Sequence, residues 1–393
     1  MAAEWNRSYL ESLLDNAIPE TQGVEYKQQV PSKDDPDVLE HREEFLKDVS
    51  GMANAGGGVI LYGVTNDGKL LPLQDAKPEK YDQLERRLGQ WIDNGIEPKM
   101  RGVSFAKIDV ADGYVLLMSV PDSMAGPFWA KVPGPQGAAD TGRRIFKIRR
   151  DTRVIDMSYH EVREAFDRNS NALMQAHNWV RGRIADYRNS LSEATPFVHI
   201  VPMASYQRAT DPLEINDMRK HESILDPILG GSGSSGRHNF DGFRLFSGEP
   251  WDRPFVQIFR NGSLEISDHV VSLNEDFKTN GGPQLQLHET QLADFVVRSL
   301  QFGFQYNHAL GPASASMVCI SLVQADMATL EQNYRNKSTD RSVLEVPPFI
   351  VETDPSKDEI DRVAKAALDM LLQGYGFARC TLFTPDGKWH ARK

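Results

Sequence analysis

Glu20-Thr21-Gln22-Gly23-Val24-Glu25-Tyr26-Lys27 is the stretch from which the rest of the chain is best read. Val24 and Tyr26, with Val30 beyond them, fall on one face of a two-residue repeat. Glu25, Lys27 and Gln29 fall on the other, as in a strand with one side toward a core. Glu20 precedes the bend expected at Gly23, so a turn rather than strand periodicity has to bring it back toward Glu25. Carboxylates gathered in this way suit a hard divalent cation. Such an ion neutralises a scissile phosphate and activates water, and a lysine alongside stabilises charge developing at phosphorus. A surface ion pair between Glu25 and Lys27 accounts for the same spacing.

Upstream, Leu10, Leu13, Leu14 and Ala17 form a short helical stripe that Pro19 ends. Downstream, Val38, Phe45, Val49 and Met52 or Ala53 have helical spacing, and Asn54-Ala55-Gly56-Gly57-Gly58 supplies the stop. The glycines lead out of a helix and into the apolar run Val59 to Val64, so they lack the helix N-terminus that binds phosphate. Asn66-Asp67-Gly68 is a tight-turn signal folding that strand back toward Leu70 to Leu73. A helix over Tyr81 to Ile92 follows, then strands near Val103 to Val110 and Tyr114 to Val120. A loop runs from Gly126-Pro127 through Val132-Pro133-Gly134-Pro135-Gln136-Gly137, after which come a strand over Arg144 to Arg149 and a helix from Ser158. The fold class is α+β.

Composition narrows the function. With 393 residues, 40% apolar and 25% charged, the chain is an ordinary folded protein with room for two or three cores. Its longest apolar runs are strand-length, far short of the roughly 20 residues of a membrane span. The N-terminus lacks a signal pattern, and Cys319 and Cys380 are its only cysteines. A cytoplasmic location and no cysteine-based zinc site are expected. A net charge of -11 argues against coating nucleic acid by bulk electrostatics, so any such site has to be local. One basic stretch qualifies: Arg143, Arg144, Lys147, Arg149, Arg150 and Arg153, with Asp151 the single acid among them. It reads either as a strand that positions a phosphate backbone or as a solvated strand pair.

Val162, Phe166, Leu173, Trp179, Val180, Ile184 and Tyr187 support one long or broken helix leading into a second part of the chain. There, a strand over Val198 to Met203 precedes a hairpin in which Val256 to Arg260 and Ser263 to Ile266 flank Asn261-Gly262. Helices are expected at His288 to Phe304 and Asp358 to Leu372, and strands at Met317 to Val323 and Ala378 to Phe383. The Gly/Ser-rich run Gly230 to Gly236 lacks a Gly-Lys-Ser/Thr ending and reads as a flexible loop. His238, His269, His288 and His308 are isolated, not paired at metal-ligand spacing. Phe240, Phe243, Phe246, Trp251, Phe255 and Phe259 lie among Arg237, Arg244, Arg253 and Arg260. They fit packing of a β-rich core better than stacking on bases. The domains expected are 1–166, a helical connector at 167–195, and an α+β domain at 196–393 for assembly or partner docking.

The Glu-x4-Glu-x-Lys element, the helix ending in Ala53 to Gly58, the strand into Gly63-Val64 and the Asn66-Asp67-Gly68 turn together resemble the Schlafen AlbA_2 family in order and spacing. Ser123-Met124-Ala125-Gly126-Pro127-Phe128 is similar to that family's Ser/Pro loop. Ile148-Arg149 and Met157-Ser158 resemble its closing strand and helix start. The resemblance runs from about Leu10 to Phe166. It implies a metal-dependent endoribonuclease acting on transfer RNA or other structured RNA, in a setting of antiphage defence. Glu20, Glu25 and a third carboxylate would hold Mg2+ or Mn2+ beside Lys27.

The third carboxylate departs from the family pattern. An Asp is expected directly after Gly63-Val64, where this chain has Thr65, Asn66 and only then Asp67. Asp67 is open to two readings, a displaced metal ligand or the turn residue of its Asn-Asp-Gly context. Asp151 also stands where the family often has glycine. The alternative function is a catalytically inactive nucleic-acid-binding or regulatory subunit. A homo-oligomer, by base rate a symmetric dimer, is expected, and a second protein partner stays open.

Overall fold

A computed structural model describes residue 10 and residues 20–32, 37–74, 79–123, 125–132, 143–207, 212–230, 234–248, 254–279, 282–310, 315–351 and 355–390. The stripe residues Leu13, Leu14 and Ala17, Met124, the loop residues 133–137, the glycine-rich 231–233, Trp251 and Arg253 lie outside them. The chain divides into two compact units, Met1–Ser170 and Asn171–Lys393.

The first unit is built from β1 (Val24–Lys27), α1 (Val38–Asn54), β2 (Gly58–Tyr62), α2 (Tyr81–Gly95), β3 (Ile96–Glu97), β4 (Ser104–Val110), β5 (Gly113–Val120), β6 (Trp129–Val132), β7 (Arg143–Arg150) and β8 (Arg153–Asp156). One sheet has the order β1-β2-β5-β4, with β1 parallel to β2, and a second has the order β3-β6-β7-β8. Phe45, Val49 and Met52 of α1 and Leu84, Leu88 and Ile92 of α2 share a core with Ile60, Leu116 and Met118 of the first sheet. Ala130 of the second sheet joins them. The parallel junction depends on Gly58, whose φ is 153° and where a Cβ would meet the Gly23 carbonyl oxygen at 2.4 Å. Gly51 permits a second close approach: a Cβ there would lie 2.9 Å from Val154, so α1 rests directly on β7 and β8.

β6 is a strand where the sequence reads as loop. Ala130 is fully buried and pairs with both Ile96 and Ile145, so tertiary burial outweighs the nearby proline and glycine signals. A single unbroken helix, α3 (Tyr159–Arg188), follows β8.

The second unit contains β9 (Thr195–Pro202), β10 (Ser235–Asn239), β11 (Gly242–Phe246), β12 (Phe255–Phe259), β13 (Leu264–Ser267), β14 (Val271–Thr279), β15 (Gly282–His288), α4 (Glu289–Leu310), β16 (Ser316–Val323), β17 (Ala328–Gln332), β18 (Arg335–Lys337), β19 (Val343–Glu345), β20 (Phe349–Val351) and α5 (Lys357–Gly374). Its main sheet has the order β10-β11-β12-β13-β9-β16-β19, with β20 also on β16, and β14-β15-β17-β18 form a smaller one. One face of the main sheet presents Val198, Ile200, Ile258, Ile266 and Val318 to the apolar residues of α4 and α5. The other face carries a polar row. Cys319, His199, Glu265, Gln257, Arg244 and Arg237 are successive cross-strand partners.

The α3 residues of this unit cover the middle of that row. Trp179 meets His199 edge-on at 6.1 Å, and the Tyr187 hydroxyl donates to Glu265 at 2.7 Å. Residues 378–383 are not the strand expected from their apolar alternation. Two of their backbone N–H groups go to side chains instead, Cys380 N to Asp369 at 2.7 Å and Thr381 N to Glu289 at 2.5 Å, and Phe383 forms an isolated bridge with Trp389. The aromatic cluster packs as a core: Phe243, Phe246, Phe255 and Phe259 are buried, whereas Phe240 is exposed.

Candidate functional site

Four elements meet around Lys27. β1 supplies Glu25 and Lys27 on its polar face, α1 supplies Glu44 and Asp48 one turn apart, β2 ends at Tyr62, and β7 supplies Arg149. The Lys27 ammonium lies 2.8 Å from Asp48, 3.0 Å from Glu25 and 3.4 Å from Glu44. On the far side of Glu25, its carboxylate accepts from the Arg149 guanidinium. Arg149 is 1% exposed. It also donates to the carbonyls of Thr21 at 3.0 Å and Val24 at 3.3 Å, tying β7 to the start of β1. The result is an alternating line of charges, Arg149, Glu25, Lys27 and Asp48, ending beside a cleft of about 210 Å³ lined by Lys27, Gln29, His41, Glu44, Asp48 and Tyr62.

Burial sets the protonation energetics. It pushes the Asp48 carboxyl above its ordinary value, against the pull of Lys27. For Lys27 burial acts downward, but the Asp48 and Glu44 carboxylates outweigh it and the ammonium ends above its usual range. The Tyr62 phenol, fully buried beside Asp48, is driven upward and stays neutral.

Glu20 returns to β1 through the Gly23 turn, where its carboxylate accepts from the backbone N–H of Tyr26 at 3.1 Å, and its charge acts on Arg149. Asp67 does not join it. Its side chain is 58% exposed and forms an ion pair with Lys69 at 2.7 Å. It also accepts from the Thr65 hydroxyl at 2.5 Å, and these bonds hold its carboxyl below the usual range. Among the described residues, no three His, Cys, Asp or Glu side chains are grouped so as to hold a metal ion. With Asp67 held in its own turn and Glu25 already compensated by Arg149 and Lys27, this donor set does not fit the Mg2+ or Mn2+ that the resemblance implies.

The basic stretch separates by face. Arg143, Lys147 and Arg149 lie on the side toward α1: Arg143 reaches Glu43 at 3.9 Å and Lys147 pairs with Asp156 at 2.9 Å. Arg149 therefore does not offer its charge to a phosphate. Arg144, Arg150 and Arg153 project from the opposite side and are exposed. Arg144 lies over the Trp129 ring at 4.8 Å, and Arg150 pairs with Glu161.

Two residues here were not singled out from the sequence. Asp48 is an acid next to Val49 in an otherwise apolar helical stripe, and that placement is the signal that it has a buried partner. Asn54 reads as a helix stop, yet its amide donates to the Phe128 and Lys147 carbonyls at 2.7 Å each and accepts from Phe128 N at 2.7 Å. It pins the end of α1 to β6 and β7, and nothing local in the sequence announces it.

Among known proteins, no curated protein matches the chain. A solved solution structure resembles part of it: the N-terminal domain of a protein from Nitrosomonas europaea named as a RecG-related ATP-dependent DNA helicase. That match has 19% identity and a TM-score of 0.24, and covers 39% of this chain and 94% of that one. No helix among the described residues is long and apolar enough to cross a membrane. The Schlafen AlbA_2 family model matches residues 20–158, the span that holds Glu20, Glu25, the helix end at Asn54 and the closing strand β7, and this part of the chain is a Schlafen AlbA_2 domain.

Proposed function

We propose that the first unit binds nucleic acid and does not use Glu20, Glu25 and Asp67 as a three-carboxylate metal centre. Its family points to a nucleic-acid-related function. The observation that carries the rest is Arg149: a buried guanidinium committed to Glu25 leaves that carboxylate no free charge for a divalent ion. RNA, with transfer RNA as its first candidate, is the ligand that the resemblance suggests. The exposed Arg144, Arg150 and Arg153 are the groups available to its backbone.

A second reading, metal-dependent RNA hydrolysis, draws support from Glu25 and Asp48, which flank Lys27 within 3.0 Å beside a cleft. One experiment separates the two. The full chain and its Glu25→Gln variant are incubated with a transfer-RNA pool in Mg2+ or Mn2+ and run on denaturing and native gels. Binding without cleavage is the expected result. Cleavage by the wild type that is lost in the variant overturns the proposal in favour of the nuclease.

A further inference from the structure

The outer side of the sheet β3-β6-β7-β8 has a composition that phosphate contact alone does not explain. The helices packed closely on this sheet, α1 and α2, lie on its other side, where Ala130 and Ile145 meet the core. Alternation then sends Trp129 from β6 and Phe146 and Ile148 from β7 outward, and register places Trp129 directly beside Phe146 and Ile148 beside Ile155. All four are only half-buried, and none belongs to the apolar core.

Basic residues frame this strip. Lys131 and Arg144 are cross-strand partners at one end, and Arg150 and Arg153 are partners at the other. All four are exposed. Among the described residues, the acids nearby include Glu97, which pairs in register with Trp129, Asp151 in the turn, and Glu161 on Arg150. On a chain whose net charge is -11, this is a local positive face with two aromatic rings at its centre.

Resting on the nucleic-acid reading above, we infer that this face is a platform for a single polynucleotide strand, with bases stacking on Trp129 and Phe146 and phosphates held by Lys131, Arg144, Arg150 and Arg153. Every unpaired base has an exposed π-face, whereas a duplex hides its bases from a flat sheet. Arg144, over the Trp129 ring at 4.8 Å, places a cation and an aromatic surface at the same point of the path.

The test uses the full chain and fluorescently labelled oligouridylate, oligothymidylate and a duplex of equal length, with affinity measured against salt. Trp129→Leu and Phe146→Leu keep apolar bulk but remove the rings. Each is expected to weaken single-strand binding about tenfold, with little change in duplex binding and an unchanged salt slope. Phe146→Tyr is expected to bind like the wild type. Arg150→Ala and Arg153→Ala should each reduce the single-strand salt slope by about 0.7. Ring-deleted variants that are folded by circular dichroism and bind single strands at wild-type affinity, while the arginine variants lose binding, would overturn the platform and leave the nucleic-acid reading standing. A wild type that binds none of the three probes overturns both.

Discussion

Arg149–Glu25 in the first unit and Arg183–Glu265 in the second are the same chemical pair in two settings. Glu265 is sealed, at 0% exposure. Arg183 grips both its oxygens at 2.8 and 2.9 Å, Tyr187 donates at 2.7 Å, and His199 Nε2 lies at 3.2 Å. Burial alone would raise this carboxyl, yet the hydrogen bonds from Arg183 and His199 hold it at about 2. Glu25 instead shares its charge between Arg149 and Lys27, and Lys27 passes the imbalance on to Asp48 and Glu44 at the edge of a cleft. The second pair is centred on a carboxylate with no exposed surface, whose charge is spent on Arg183, Tyr187 and His199. The first is one end of a chain of charges that solvent can reach, so a ligand or a change of pH acts on it.

Breaking the sealed pair should have the largest effect. Glu265→Leu takes from the half-buried Arg183, from Tyr187 and from the fully buried His199 the carboxylate they share, and is expected to lower the stability of the second unit by about 3–5 kcal/mol, measured by hydrogen exchange at the β9 and β13 amides. Adding Arg183→Met should recover much of that loss. Arg149→Met removes a partner from Glu25 but leaves Lys27 in place, so roughly 2–3 kcal/mol is expected at the β1 amides. An equal or larger loss there would remove the distinction between the pairs.

The two sites should also differ in sign with pH. Glu265 has a depressed folded-state value, so its contribution is full above the unfolded value of about 4.3 and is lost as pH falls toward about 2. The stability gap between wild type and Glu265→Gln should shrink over that interval. Asp48 has a raised folded-state value, so its ionisation weakens the fold as pH rises above about 3.9, and wild type should gain on Asp48→Asn as pH falls through the folded value. Urea unfolding of both variants across pH checks the signs, and parallel curves would contradict them. The smallest effect is expected from Asp67→Asn, a change in an exposed turn: an unaltered unfolding midpoint and unaltered RNA binding.

Much of this was legible before the fold was known. Helical spacing through Met52, the glycine stop and the Asn66-Asp67-Gly68 turn place α1, β2 and the reversal that follows, because each signal is local. The Asn261-Gly262 hairpin is legible for the same reason. What could not be read are links between distant segments. Arg149 and Glu25 are 124 residues apart, and an arginine in a basic run reads as a phosphate ligand until its face is known. Alternation along β7 does separate Arg149 from Arg150, but only packing against α1 decides which of the two is buried. Likewise β6 is a strand because of what covers Ala130, a fact held by β3 and β7.

The polar row across the second unit has one more consequence, for how its sheet is put together. Strand pairing repeats every two residues, so a slip of one position exchanges the two faces of a strand. Were β13 to shift by one residue against β9, Glu265 would turn into the apolar layer beneath α4, and Leu264 or Ile266 would face Arg183 and His199. The rungs that pair Glu265 with His199 and with Gln257, all three buried, impose the same test on β9 and β12. An all-apolar sheet of this width would tolerate several alignments at similar energy. Here the buried polar side chains of His199, Glu265 and Gln257 act as a key, and the alignment that sets them side by side is the one that closes the middle of the sheet.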